Sequence, residues 1–88
     1  MSLTFLDTSI SKEAEKELKK KFSVEFGEYL HNLRKEKGIT QEELADKANL
    51  HSKYIGHIET GTYTPSIFVV WKISQVLKME LGDMLRHF

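Results

Sequence analysis

The segment from Gly38 to Gly61, GITQEELADKANLHSKYIGHIETG, constrains the fold of this chain more than any other. Thr40 can accept from the backbone N–H of Glu43 while Glu43 reaches back to that of Thr40, a capping box that starts a helix at a defined residue. Beyond it Leu44, Ala45 and Ala48 form a narrow apolar stripe at helical spacing, and Glu42, Asp46 and Lys47 fall on the solvated side. Asn49 stands where the chain must turn sharply, and asparagine is the non-glycine residue that best tolerates a left-handed backbone. Leu50 then plugs the space between two helices. The second helix starts with His51 or Ser52 as N-cap, runs to Thr60, buries Ile55 and Ile58, and stops at Gly61. Its remaining face carries Ser52, Lys53, Gly56, His57 and Thr60.

Two short helices joined so tightly must cross at a steep angle with their backbones close together, and this is why Ala45 is small. A bulky side chain at the crossing would prevent it. The unit is a helix-turn-helix, whose second helix is free to enter a DNA groove.

The chain has 88 residues and a mass of 10.2 kDa, which allows one small domain. It contains no cysteine, so neither disulfides nor a thiolate metal site enters the argument. No apolar run approaches membrane-spanning length, and the N-terminus has no uninterrupted apolar segment like that of a secretion signal; a cytoplasmic protein with no membrane partner is expected. Thirteen basic residues balance thirteen acidic ones. A formal net charge of zero counts against DNA binding by bulk electrostatics, so any recognition must be local. One proline, a helical vocabulary and no alternating strand pattern point to an all-α class.

Along the rest of the chain, Met1 to Ile10 is assigned no element. Ser11 to Lys21 reads as a charged helix with Ala14 and Leu18 four apart, and Phe22 and Phe26 continue the spacing. That stripe allows one long helix through Lys37 or two helices with a break; a break near Ser23 is preferred, with Ser23 capping a new helix, Val24 to Lys37, that turns Phe26, Leu30 and Leu33 inward and leaves Tyr29 at the edge. This divides the chain into an N-terminal extension, residues 1–21 and partly helical, and a domain over 22–88. Gly38 ends the helix and Ile39 seals the corner before Thr40. Pro65 and Ser66 open a fourth helix from Ile67 to about Leu77, with Ile67, Val70, Ile73, Ser74 and Leu77 as its core face. A last helix, Leu81 to Arg86, returns Leu81, Met84 and Leu85 to the core. The Lys19-Lys20-Lys21 run reads first as a solvated helix end.

The segment from Phe26 to Leu85 resembles the Cro and phage-repressor type of helix-turn-helix domain, the XRE family. The resemblance rests on Leu33-Arg34 before Gly38, then Thr40-Gln41-Glu42-Glu43-Leu44-Ala45, Tyr54-Ile55, Ile58-Glu59, Gly61, Pro65-Ser66 and Leu77. It implies a five-helix repressor-like domain carrying an extra N-terminal helix. It also implies roles. Gln41 resembles the glutamine that bonds a phosphate and braces the recognition helix, and Arg34 and Glu59 resemble the structural ion pair tying the first helix to it. Ser52, Lys53 and His57 fall at base-facing positions of a recognition helix at about 52–60, and Tyr54, Thr60, Thr62 and Tyr63 lie near phosphates. Three positions depart from the pattern. Asn49 replaces the commoner turn glycine, Gly56 weakens the recognition helix by about 1 kcal/mol relative to alanine, and Lys78 replaces a helix-ending glycine, which implies a less sharply terminated junction. Phe68, Val69 and Val76 are apolar where the family is usually polar. With Trp71, Met79, Met84 and Phe88 they suggest a dimer or partner surface, which the Ala14, Leu18 and Phe22 face of the N-terminal helix is an alternative candidate to cover.

The function that follows is a sequence-specific transcriptional regulator binding double-stranded DNA as a homodimer on a palindromic site. The competing reading is a protein-interaction module, such as an antitoxin or accessory subunit with a protein partner. Catalysis is not expected. His31, His51, His57 and His87 lack HExxH spacing and a cysteine companion, and no glycine-rich phosphate loop follows a strand, so neither a metal nor a cofactor is called for.

Overall fold

In a computed structural model, residues 9–88 are described; residues 1–8, within the stretch assigned no element, lie outside them. The described chain consists of five helices: α1 Lys12–Glu36, α2 Gln41–Lys47, α3 Ser52–Glu59, α4 Ile67–Val76 and α5 Leu81–Leu85. The all-α class and the repressor-like order hold. Among the described residues no helix is long and apolar enough to cross a membrane.

The break expected near Ser23 does not occur. Helix α1 is continuous for 25 residues, capped at its start by Ser11, whose side chain accepts from the Ala14 N–H. Ser23 is buried inside it, where its hydroxyl donates to the Lys19 carbonyl at 2.7 Å and also bonds the Thr64 hydroxyl. A serine whose oxygen bonds the carbonyl of the preceding turn leaves the helical ladder intact, so the residue read as a cap is an anchor between elements. The extra N-terminal helix is therefore the first half of α1, and the helix runs through the 21/22 division.

The core lies where α1 packs on α3, α2 on α3 and α4, and α4 on α5. Phe26, Leu30, Leu44, Ala45, Ile55, Ile58, Val70, Ile73, Leu77 and Met84 fill it, with Leu33, Ile39 and Leu50 packed around the rim. Ser66 caps α4 by accepting from the Val69 N–H. Ile67, placed on the core face by periodicity, is 62% exposed. A first-turn side chain leans over the turn before its own Cα, and here that turn is the departing loop rather than the bundle.

Both turns that lack glycine take up the left-handed backbone all the same. Asn49 has φ 55° and Lys78 has φ 56°. At Lys78 the chain still closes α4 cleanly, with the Met79 N–H on the Ser74 carbonyl at 2.9 Å and the Lys78 N–H on that of Gln75. The α4–α5 junction is thus sharp rather than loose, and the lysine bears the steric cost of the conformation.

Candidate nucleic-acid interface

The site begins at the α2 cap. Thr40 accepts from the Glu43 N–H and Glu43 accepts from that of Thr40, each at 3.0 Å, so both halves of the capping box form. These bonds hold the Glu43 carboxyl below its ordinary pKa, the backbone hydrogen bond at Thr40 contributing most. The cap fixes Gln41 as the first residue of α2, beside α3.

Glu59, at the end of α3, is where the scaffold converges. Its side chain is 3% exposed, and Arg34 grips both oxygens, Nε at 2.6 Å from Oε2 and Nη2 at 3.0 Å from Oε1. Gln41 Nε2 donates to Oε1 at 3.1 Å, and His31 Nδ1 lies 2.9 Å from the same oxygen. Arg34 also donates through Nη1 to the Ile39 carbonyl at 2.9 Å, tying the α1–α2 corner into the group. Burial opposes ionisation of Glu59, but the bonds from Arg34, His31 and Gln41 outweigh it and hold the carboxyl below its ordinary value. The bond to Glu59 in turn raises the Arg34 guanidinium. A buried pair is stable only when its remaining lone pairs and protons are met, and here His31 of α1, Gln41 of α2 and the Ile39 carbonyl at the corner between them meet them. Of these groups His31 escaped the sequence reading. Its position three residues before Arg34 on α1 was the available signal.

Gly27 was also missed. A Cβ there would lie 2.2 Å from the Ile58 carbonyl oxygen and 2.6 Å from that of Glu59, so only glycine lets the end of α3 rest against α1. Gly61 continues the contact at φ 78°, where a Cβ would meet the Val24 Cα at 2.9 Å.

The outward side of α3 forms a groove with Gln41, lined by Gln41, Lys53, Gly56, His57 and Thr60. Four residues read as DNA-facing are thereby brought together. Lys53 and His57 are exposed and Ser52 is half-buried in the first turn, behind His51, whose side chain makes no capping bond. His57 packs at a tilt against Tyr63 with ring centroids 4.7 Å apart, and Tyr54 lies against Tyr63 at 5.8 Å. The His57 carbonyl accepts from the N–H groups of Thr62 and Tyr63, and the Thr60 and Thr62 hydroxyls bond at 2.9 Å. The loop after α3 is therefore locked to the helix it follows. Gly56 leaves room: a Cβ would meet the end of the Gln41 side chain at ordinary contact, 3.6 Å from its amide oxygen.

The apolar surface drawn from the sequence divides in two. Phe68 is 61% and Trp71 45% exposed, stacked together with Lys72 over the Phe68 ring, while Val69, Val76 and Met79 are half-buried against the core. Met84 is fully buried and so belongs to the core rather than to a surface. Phe88 turns the other way and packs on Phe22, Phe26 and Tyr29. The middle of α1 packs one side of Phe88, which stays partly exposed, and α1 does not reach Phe68 and Trp71.

The model of the helix-turn-helix family HTH_3 matches residues 30–84, most of the chain, including the Arg34–Glu59 group and the groove along α3. The chain belongs to that family, the Cro and phage-repressor type. It is 34% identical over 59 residues to the immunity repressor protein of Bacillus phage phi105, covering 67% of this chain and 41% of the repressor, so it spans less than half of that relative's length. It is 38% identical to the control protein C.BamHI of Bacillus amyloliquefaciens, covering 68% of this chain and 75% of that protein. The crystal structure of the restriction-modification controller protein C.AhdI from Aeromonas hydrophila superposes with a TM-score of 0.72 at 32% identity, over 75% of this chain and 96% of that one. This is a family of transcriptional regulators and repressors, not of enzymes.

Proposed function

We propose that this family member regulates transcription by binding a palindromic duplex site as a homodimer, with α3 in the major groove. The observation that carries the reading is the groove in which Gln41, Lys53, Gly56, His57 and Thr60 lie side by side, held by the buried Glu59 at its back. Lys53 is the reader of guanine O6 and N7, and Ser52 and His57 are its neighbours on the base-facing side. Gln41, Tyr54, Thr60, Thr62 and Tyr63 serve the phosphates. Because Gln41 is already tied to Glu59, a phosphate held by its amide is registered against the same carboxylate that orients α3.

Dimerisation uses the open face of α4 around Ile67, Phe68 and Trp71, the exposed apolar cluster that α1 leaves uncovered. With zero net charge, two half-sites about one helical turn (~34 Å) apart supply the affinity that one neutral domain lacks. Lys53→Ala is expected to relax preference at one base pair, by about 1–3 kcal/mol, and Gln41→Ala to weaken all sequences alike. Titration of both variants against cognate and scrambled duplexes tests this; equal losses on both duplexes for both variants would remove the assignment.

A further inference from the structure

Outside the matched segment, the first half of α1 carries a face that the repressor-like core does not explain. Lys12, Lys16, Lys19 and Ser23 follow one another at spacings of four, three and four, and Lys20 lies beside them. At 3.6 residues per turn these positions form one stripe along the helix. Glu13, Glu15 and Glu17 fall beside or behind it. Lys16, Lys19 and Lys20 are exposed, and among the described residues none is within ion-pair distance of a carboxylate.

The direction of this stripe is fixed by its lower end. Ser23 is buried and bonds the Thr64 hydroxyl, and the Gly61 backbone presses on Val24, so α1 cannot rotate relative to the loop after α3. Lys16, Lys19 and Lys20 therefore share one shallow groove with Gly61, Thr62 and Thr64. That loop is locked in turn to the recognition helix through the His57 carbonyl. Continuity of helix α1 gives the lysines a rigid mount: had the chain broken at Ser23, their position would be free.

We propose that the lysine face of α1, centred on Lys16, Lys19 and Lys20, is a second DNA-backbone contact that extends the interface beyond the helix-turn-helix. The proposal rests on the reading of Thr62 and Tyr63 as phosphate-facing. Lysines on one rigid face adjoining that loop neutralise neighbouring phosphates without reading bases, so they add affinity and salt dependence and no sequence preference. They also resolve how a chain of zero net charge presents a positive surface to DNA: the charge is sorted by helix face rather than by total.

The test compares the full chain with Lys16→Gln/Lys19→Gln/Lys20→Gln and with Lys37→Gln/Lys47→Gln/Lys78→Gln, which removes the same charge around a cleft at the other end of α1. Each is titrated across a salt series against a duplex selected from random DNA and against a scrambled duplex, with circular dichroism to verify folding. The first triple variant is expected to bind both duplexes roughly tenfold or more weakly, with the log–log salt slope shallower by about one per contacting lysine and the ratio between duplexes unchanged. The second is expected to keep the wild-type slope. Equal losses in both variants, or none in the first, would overturn the proposal while specific binding by the parent chain left the major-groove reading standing. Failure of the parent chain to prefer any duplex would overturn both.

Discussion

Gly27 and Gly56 both lie within helices, and the structure assigns opposite signs to the same substitution at the two positions. Glycine to alanine inside a helix gains about 1 kcal/mol from backbone propensity alone. At Gly56 nothing opposes that gain, since the new Cβ would sit at ordinary contact, 3.6 Å from the Gln41 amide oxygen. At Gly27 the Cβ would fall 2.2 Å from the Ile58 carbonyl oxygen and 2.6 Å from that of Glu59, both backbone atoms that cannot rotate aside. Helix α3 would have to retreat by about 1 Å to reach the C···O separation of about 3.3 Å found in close C–H···O contacts. Overpacking of this kind costs about 1–3 kcal/mol, and the displaced residue is Glu59, so its bonds to Arg34 and Gln41 are stretched as well. The expected net is a loss of about 2 kcal/mol for Gly27→Ala. In a domain of this size that lowers the melting temperature by about 8–16 °C, whereas Gly56→Ala raises it by about 4–8 °C. Thermal unfolding followed by circular dichroism reads both. A Gly27→Ala protein that melts at or above the parent would refute the close α1–α3 contact on which the placement of α3 depends.

Removing one side of the buried pair leaves a charge without its partner, so Arg34→Met is expected to cost roughly 3–5 kcal/mol in urea unfolding at pH 7, and Arg34→Met/Glu59→Leu to recover most of it; a single-variant loss below about 1 kcal/mol would show the pair to be solvated. Because the folded carboxyl of Glu59 titrates lower than the unfolded one, its stabilising contribution is full above the ordinary carboxylate range and is lost as pH falls through the folded value. Glu59→Gln should flatten that acid limb, and an unchanged limb would assign it to other carboxylates. At Lys78, φ 56° penalises any side chain, so Lys78→Gly is expected to stabilise by about 1 kcal/mol in the same assay, and a loss would mean that the lysine side chain holds the junction.

The features legible in the sequence are those decided within one or two turns of chain. The Thr40–Glu43 capping box, the left-handed Asn49, the Ser66 cap and the small Ala45 each follow from a residue and its near neighbours. What failed depended on contacts distant in sequence. Ser23 has the chemistry of a cap, yet its hydroxyl is better used against Thr64, and a continuous apolar spacing through Phe22 and Phe26 keeps the helix whole. Gly27 looks like a helix weakness until α3 is laid against it. Ile67 was misplaced because periodicity gives the face of a helix but not how far the neighbouring elements extend beneath it, whereas Met84, which periodicity returned to the core, is buried there and drops only out of the apolar surface. Periodicity gave the outward face of α3, and the DNA-facing roles of its residues and of Gln41 came only through the resemblance to a family, because a lysine and a histidine on an exposed helix carry no message of their own.

The most direct test of the central claim is selection of binding sites from a pool of random duplex DNA by the purified chain. A palindrome whose half-sites are centred about one helical turn apart is expected to be enriched, with the preference lost in part, at one base pair per half-site, in Lys53→Ala. A pool that shows no enriched sequence after repeated rounds would contradict it.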